Sequence, residues 1–189
     1  MPELLTPRHR IAWSYANLAR AHAALTDGVV RYATKHHMIR SRLFKGLCEG
    51  SLSMRSIYDD EREKLVGLRC CEYCAKTTAL TIDHLFSRKR GGTDSPQNLV
   101  VACAPCNSSK GDRDMLAWLS SSGRFPTVLL LRRYLKNAAA YLDERELLDV
   151  AMAEIEHLQL PFALDLLPFD FPPLESLKLR MAPLEPPAI

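Results

Sequence analysis

The sequence predicts an α+β protein in which a small two-stranded unit, clamped by cysteines, is set between helical flanks. Apolar residues recur at three- and four-residue spacing before residue 69 and again after Asp112, the period of an amphipathic helix. Between Cys70 and Lys110 the composition turns to Gly, Pro, Ser, Thr and Asn around two short β-type runs, 79–83 and 99–102. Two C-x-x-C pairs bracket these runs.

Residues 6–25 read as the first helix. Thr6 suits the cap, Pro7 the first helical position, and Ile11, Tyr15, Leu18, His22 and Leu25 line one face. Gly28 is the stop signal. A second helix is expected over 29–47, with Arg31, Lys35, Arg40, Arg42 and Lys45 on its exposed face. His36 and His37, adjacent on that helix, point in different directions and read as surface residues. A shorter third helix over 56–68 starts acidic (Asp59, Asp60, Glu61), as the helix dipole favours. The two β-type runs are joined by a polar loop containing Arg88-Lys89-Arg90-Gly91-Gly92-Thr93-Asp94, and a short helix is expected from Pro105. Further helices are expected over 113–120, 126–142 and 143–158, with Trp118 and Tyr134 in the core and His157 at the negative end of the last. Residues 161–189 hold seven of the twelve prolines, which forbids a long helix there. Phe162, Leu166, Leu167, Phe169 and Phe171 should pack this tail on the body, with the end from Met181 onward loose.

With 189 residues, 47% of them hydrophobic, the chain has the make-up of an ordinary globular protein. No apolar run approaches the ~20 residues that span a bilayer, so no membrane partner is expected. The first ten residues lack the apolar stretch of a secretory signal, and the expected location is cytoplasmic. Six cysteines are then expected as thiols or metal ligands rather than disulfides. The net charge of +3 is unevenly spread: residues 1–143 carry 22 Lys+Arg against 13 Asp+Glu, and residues 144–189 carry 3 against 9. A basic body with an acidic tail suits a polyanionic partner. Residues 8–55, with nine Lys+Arg against two Asp+Glu, are the candidate docking surface, although an ordinary basic helical pair would have the same composition.

Cys71 and Cys74, then Cys103 and Cys106, supply four sulfurs in two knuckles, the set that tetrahedral structural zinc requires. The 28 residues between the pairs exceed a simple ribbon and must hold structure of their own, which the two strands would supply. A small β unit has little core, so zinc would contribute its folding energy directly. A redox-active pair would need a βαβ context that this sequence lacks. Cys48 and Cys70 fall outside the spacing and read as small buried hydrophobes.

Between and beside the knuckles lie Ile82-Asp83-His84-Leu85, Asn98-Leu99-Val100-Val101 and Cys106-Asn107-Ser108-Ser109-Lys110-Gly111-Asp112. With the Gly-Gly loop, this ordered set over about residues 70–114 resembles the HNH endonuclease family. The resemblance implies a ββα-metal (HNH) zinc finger core flanked by N- and C-terminal helices, and hydrolysis of phosphodiester bonds. Residue by residue, it implies His84 as general base and Asp83 with the side-chain oxygen of Asn107 as ligands of one catalytic divalent ion. Asn98 would tie the loop that carries His84. These roles suit the chemistry: a metal-free imidazole accepts a proton near neutral pH, and oxygen ligands suit a hard ion. Arg88, Lys89, Arg90 and Lys110 are the candidate phosphate contacts. The family name implies a histidine where this chain has Asn107, so the resemblance is to the His-Asn-Asn variant. An amide oxygen favours Mg²⁺ or Mn²⁺ over softer metals.

The resemblance implies DNA as partner ahead of RNA, with contacts mainly to phosphates and weak intrinsic sequence specificity. The flanks or the tail would then recruit DNA or a protein partner, in a defence, restriction or mobile-element setting. Two other readings compete: a non-catalytic zinc module that binds nucleic acid, and a nuclease subunit activated by a partner. The expected organisation is 1–69 as a helical docking region, 70–114 as the nuclease core, 115–160 as a second helical region and 161–189 as the tail. Oligomeric state is not readable from the sequence.

Overall fold

The computed structural model describes residues 3–54, 70–155 and 157–183. The helix expected over 56–68 lies outside the described residues.

Helix α1 (Pro7–Thr26) is capped by Thr6, whose hydroxyl accepts from the His9 amide at 3.3 Å. It buries Ile11, Tyr15, Leu18 and Ala21. The chain leaves it through Asp27 and Gly28, and Gly28 takes a φ of +65° that other residues resist. Helix α2 (Thr34–Cys48) begins five residues later than expected. The reason is local: the Val29 amide still bonds back to Ala24 at 3.2 Å. Ala33, at the cap, has no side chain to close the new helix. His36 does this instead. Its Nδ1 accepts the Ala33 amide at 2.9 Å and its Nε2 meets Asp27 at 2.8 Å. His36 is therefore fully buried and structural, not the surface residue its position suggested, whereas His37 is exposed. Arg31, Lys35, Arg42 and Lys45 are exposed as expected, and Arg40 is half-buried with its guanidinium 5.0 Å from the Trp13 ring.

Strands β1 (Leu80–His84) and β2 (Leu99–Cys103) pair antiparallel, from Leu80 opposite Cys103 to His84 opposite Leu99. The pleat turns Asp83 inward, to 5% exposure, and leaves its neighbours Ile82 and His84 on the open side. Helix α3 (Ala104–Lys110) follows β2 without a loop, with Pro105 in its first turn. Helix α4 (Met115–Ser121) is capped by Asp114, which accepts from the Leu116 and Ala117 amides at 2.8 and 3.0 Å. The same carboxylate accepts the Tyr134 hydroxyl at 2.5 Å and so joins α4 to α5 (Val128–Asp143). Trp118 and Tyr134 are core residues, 3% and 0% exposed.

The helix expected over 143–158 is not formed as such. α5 ends at Asp143, Glu146 takes a φ of +56°, and the Leu147 amide returns to Leu142 at 2.8 Å. This turn buries Leu148 and brings its carbonyl to the Arg8 amide at 2.8 Å, while the Arg8 guanidinium grips Asp149 with two bonds of 2.6 and 2.8 Å. Contacts with the start of α1 thus replace helix continuation, and only a single turn, α6 (Met152–Ile155), remains. His157 is exposed beyond it rather than in a helix.

The tail runs back over the body. Arg10 holds the Asp165 carbonyl at 2.6 Å, Trp13 and Asn17 hold that of Phe169, and the first amides of α5 bond to Lys178 and Leu179. Phe162, Leu164, Leu167, Leu174 and Leu177 are buried in one hydrophobic cluster with α1, the two-stranded unit, α4 and α5. Phe169 and Phe171 are half-buried. Leu166, expected in this packing, is exposed, because its neighbours Leu164 and Leu167 take the inward positions of that turn. Helices around one small sheet with a cysteine cluster make the architecture α+β.

Candidate metal centre and active site

The four sulfurs of Cys71, Cys74, Cys103 and Cys106 lie within 4.8 Å of one another, and those of Cys74 and Cys103 are 3.6 Å apart. Tetrahedral zinc with bonds of ~2.3 Å needs sulfurs about 3.8 Å apart. The turn that precedes β1 and the junction of β2 with α3 build the cluster. The first knuckle closes on itself through the Ala75 amide to Cys71 at 2.9 Å and is stitched to β2 through the Glu72 amide to Val101 at 2.9 Å. The second knuckle is the end of β2 and the first turn of α3. Burial pushes the Cys71 and Cys106 thiols up. It would raise Cys103 too, but hydrogen bonds from Cys106 and the neighbouring thiols draw that one down. Zinc binding would displace the protons that burial holds on these sulfurs. Cys70 stays out of the cluster, 4% exposed, with its sulfur 3.8 Å from the Met181 carbonyl.

Beside this cluster, an open cleft of about 540 Å³ is lined by Asp83, His84, Ser87, Arg88, Lys89, Asn107, Lys110, Gly111 and Asp112. Asp83 is held on both oxygens. Oδ1 accepts the His84 amide at 2.8 Å and the Lys110 ammonium at 3.1 Å, and Oδ2 accepts the Tyr73 hydroxyl at 2.6 Å. Tyr73 is buried against the edge of Trp118, with ring centroids 5.0 Å apart. Burial and the adjoining carboxylate lift its phenol well above the ordinary tyrosine range.

His84 is partly exposed, and its Nε2 is 2.7 Å from Asp94. That contact, then Arg88, keeps the Asp94 carboxyl below the ordinary range. Asn98, 2% exposed, holds the intervening loop from inside. Its oxygen accepts the Phe86 amide at 2.8 Å, and its nitrogen donates to the carbonyls of Phe86 at 2.9 Å and Thr93 at 2.7 Å. Gly92 lets the loop close this tightly, because a Cβ there would fall 1.9 Å from the Phe86 carbonyl oxygen. Asn107, half-buried, donates its amide nitrogen to the Ile82 carbonyl at 3.0 Å.

The four cationic candidates separate. Arg88, Lys89 and Arg90 form one exposed 3₁₀ turn, with Lys89 paired to Asp112 at 2.8 Å. Lys110, a candidate phosphate contact in the sequence, is 1% exposed. Its ammonium donates to Asp83, to the His84 carbonyl at 2.8 Å and to the Gly111 carbonyl at 3.4 Å. A buried carboxylate needs a partner charge, and that requirement draws Lys110 inward.

Two partners of the cleft residues, Asp94 against His84 and Tyr73 against Asp83, escaped sequence reasoning. Asp94 carries a readable signal, since a candidate base histidine needs a partner that fixes its tautomer, and this carboxylate sits in the following loop. Tyr73 carries none, because nothing in a knuckle's spacing says where its intervening side chain points.

The cysteine cluster, the strand carrying Asp83 and His84, and the helix carrying Asn107 fall within one continuous stretch. Residues 71–113 of that stretch match the family model described as HNH endonuclease. Comparison with curated proteins and with solved structures finds no match. The two cysteine knuckles and the cleft beside them thus lie within the stretch, residues 71–113, that matches the HNH endonuclease family model.

Proposed function

We propose that this domain is a DNA endonuclease that hydrolyses phosphodiester bonds with His84 as general base. The arrangement around His84 carries the reading: its imidazole lines the cleft, 2.7 Å from an acidic partner, while the preceding residue presents a buried carboxylate to the same cleft. Asp94 stabilises the tautomer with the proton on Nε2. Nδ1 is then the acceptor for a proton of the attacking water, whose oxygen bonds to phosphorus as the leaving sugar oxygen departs. Asp83 and Asn107 offer a carboxylate and an amide oxygen, the hard donors that fit Mg²⁺ or Mn²⁺. When bound there, such an ion supplies Lewis-acid stabilisation of charge on the phosphate and the leaving oxygen. Lys110 neutralises part of the Asp83 charge, and Asn98 keeps the loop between His84 and Asp94 closed. Arg88 and Lys89 border the cleft, with Arg90 next to them in the same exposed turn, as phosphate contacts, Lys89 by exchanging Asp112 for phosphate. Exposed ion pairs are weak enough to exchange in this way.

In this reading residues 70–114 are the nuclease core, 1–69 a helical docking region, 115–160 a second helical region and 161–189 the proline-rich tail. A second reading, a subunit activated by a protein partner, is favoured by the region around the start of α2. There Val30 and Met38 are 73% and 65% exposed among Arg31, Lys35 and Arg42.

The test is cleavage of supercoiled plasmid by purified protein with Mg²⁺, Mn²⁺ or EDTA, beside His84→Ala. Metal-dependent nicking that falls by about 10²- to 10⁴-fold in the variant supports the enzyme. Zinc-loaded protein that retains DNA yet cuts under no condition refutes a self-sufficient nuclease and favours the partner-activated subunit.

A further inference from the structure

Tyr73 sits between the two sulfurs of the first knuckle, yet its hydroxyl reaches across to the carboxylate of β1. Counting lone pairs makes this contact informative. A carboxylate offers about four acceptor positions, two on each oxygen. On Asp83, Oδ1 already accepts two donors, the His84 amide and the Lys110 ammonium. Oδ2 accepts one, the Tyr73 hydroxyl at 2.6 Å, the length of a charge-assisted O–H···O⁻ bond. One acceptor position remains, on the oxygen that Tyr73 holds.

From this we infer that Tyr73 is a positioning residue for a divalent cation at Asp83: the cysteine knuckle, through its phenol, aims the one carboxylate lone pair left for the metal. The inference rests on the proposed role of Asp83 as a metal ligand. Lys110 sharpens it. An ammonium 3.1 Å from the carboxylate offsets much of its attraction for a second cation, so affinity depends on how well the remaining lone pair is aimed. Tyr73 is itself fixed, 2% exposed, at the edge of Trp118, whose indole N–H donates to Ser109 of α3 at 3.2 Å. The phenol therefore ties the knuckle, the strand that carries Asp83 and the helix that carries Asn107 to one another.

The experiment is titration of the full-length, zinc-loaded protein with Mn²⁺, read by loss of the free-ion EPR signal, for wild type and Tyr73→Phe. Zinc content and thermal midpoint are measured on the same samples. Outer-shell partners of this kind contribute about 10- to 100-fold in metal affinity. The expected result is Mn²⁺ binding at least tenfold weaker in Tyr73→Phe with one zinc per chain retained. Equal affinities in the two proteins, with zinc retained, overturn the role of Tyr73 and leave Asp83 as a ligand. Absence of Mn²⁺ binding in wild type overturns both. Because the variant loses a buried hydrogen bond and could fail to fold, a second measurement uses wild type alone. With tyrosine rings labelled, substoichiometric Mn²⁺ should broaden the Tyr73 signals before those of Tyr15, Tyr32, Tyr134 and Tyr141. Broadening that begins at any of those four overturns the inference.

Discussion

Replacing Asn98 with alanine removes three hydrogen bonds at once from a side chain that is 2% exposed. The Phe86 amide and carbonyl and the Thr93 carbonyl all lose their side-chain partner. Each such bond contributes about 0.5–1.5 kcal/mol net, so the loss sums to ~3 kcal/mol. In a chain of this size one kcal/mol moves the midpoint by about 2–4 °C, which predicts a fall of roughly 6–12 °C. Differential scanning calorimetry of the zinc-loaded protein is the assay. Asn107→Ala is the internal contrast: it removes one bond from a half-buried side chain and should cost less than about 1 kcal/mol, while abolishing metal-dependent cleavage. A drop for Asn98→Ala smaller than about 3 °C would refute the reasoning. It would mean that the backbone bonds the substitution leaves intact, Leu85 to Asn98 at 2.8 Å and Gly92 to Ser87 at 3.0 Å, hold the loop alone.

Asp94→Asn should lower the single-turnover cleavage rate by about tenfold or more, because an amide can offer His84 either a donor or an acceptor and no longer selects one tautomer. DNA affinity by gel shift should change little, and an unchanged rate would remove Asp94 from the site. Stability should decline in acid. Asp27, Asp94, Asp112 and Asp149 all lie below the ordinary carboxylate range, held mainly by Lys35, His84, Lys89 and Arg8 respectively. A lowered folded value means that the stabilisation is complete above the unfolded value of about 3.9 and is lost as the pH falls through the folded one. Melting midpoints should therefore drop below about pH 4, less steeply in Asp149→Asn, and a flat profile would contradict the pairings. Arg88→Ala and Arg90→Ala should each weaken DNA binding across sequences and reduce the slope of log affinity against log salt by about one. A slope unchanged in either variant would place that side chain off the DNA path.

Much of the architecture was legible in local chemistry. Thr6 and Pro7 open α1, Gly28 releases it, and the β-type runs on either side of the Gly-Gly loop pair as strands. The four-cysteine cluster followed from spacing alone, since two residues between sulfurs suffice to form each knuckle. Where local chemistry failed, a distant partner decided. The start of α2 waits for His36 because Asp27 receives its imidazole, and the helix expected after Asp143 is cut short by Arg8, 141 residues from its partner Asp149.

The candidate site divides in the same way. The sequence by itself determined which residue types stand in order around the knuckles, and alternation along β1 already separates Asp83 from His84. The tertiary structure alone decided what each side chain meets: Lys110 turned inward onto Asp83 rather than outward to phosphate, Asp94 brought to His84, and Tyr73 carried from a cysteine knuckle to a carboxylate ten residues on. For Lys110 and Tyr73 the physical reason is burial, whereas Asp94 meets His84 at the surface through the closed loop that Asn98 holds. A carboxylate, an ammonium or a phenol removed from water must find its hydrogen-bond partner within the fold, and which partner lies within 3 Å is set by packing among elements far apart in the chain.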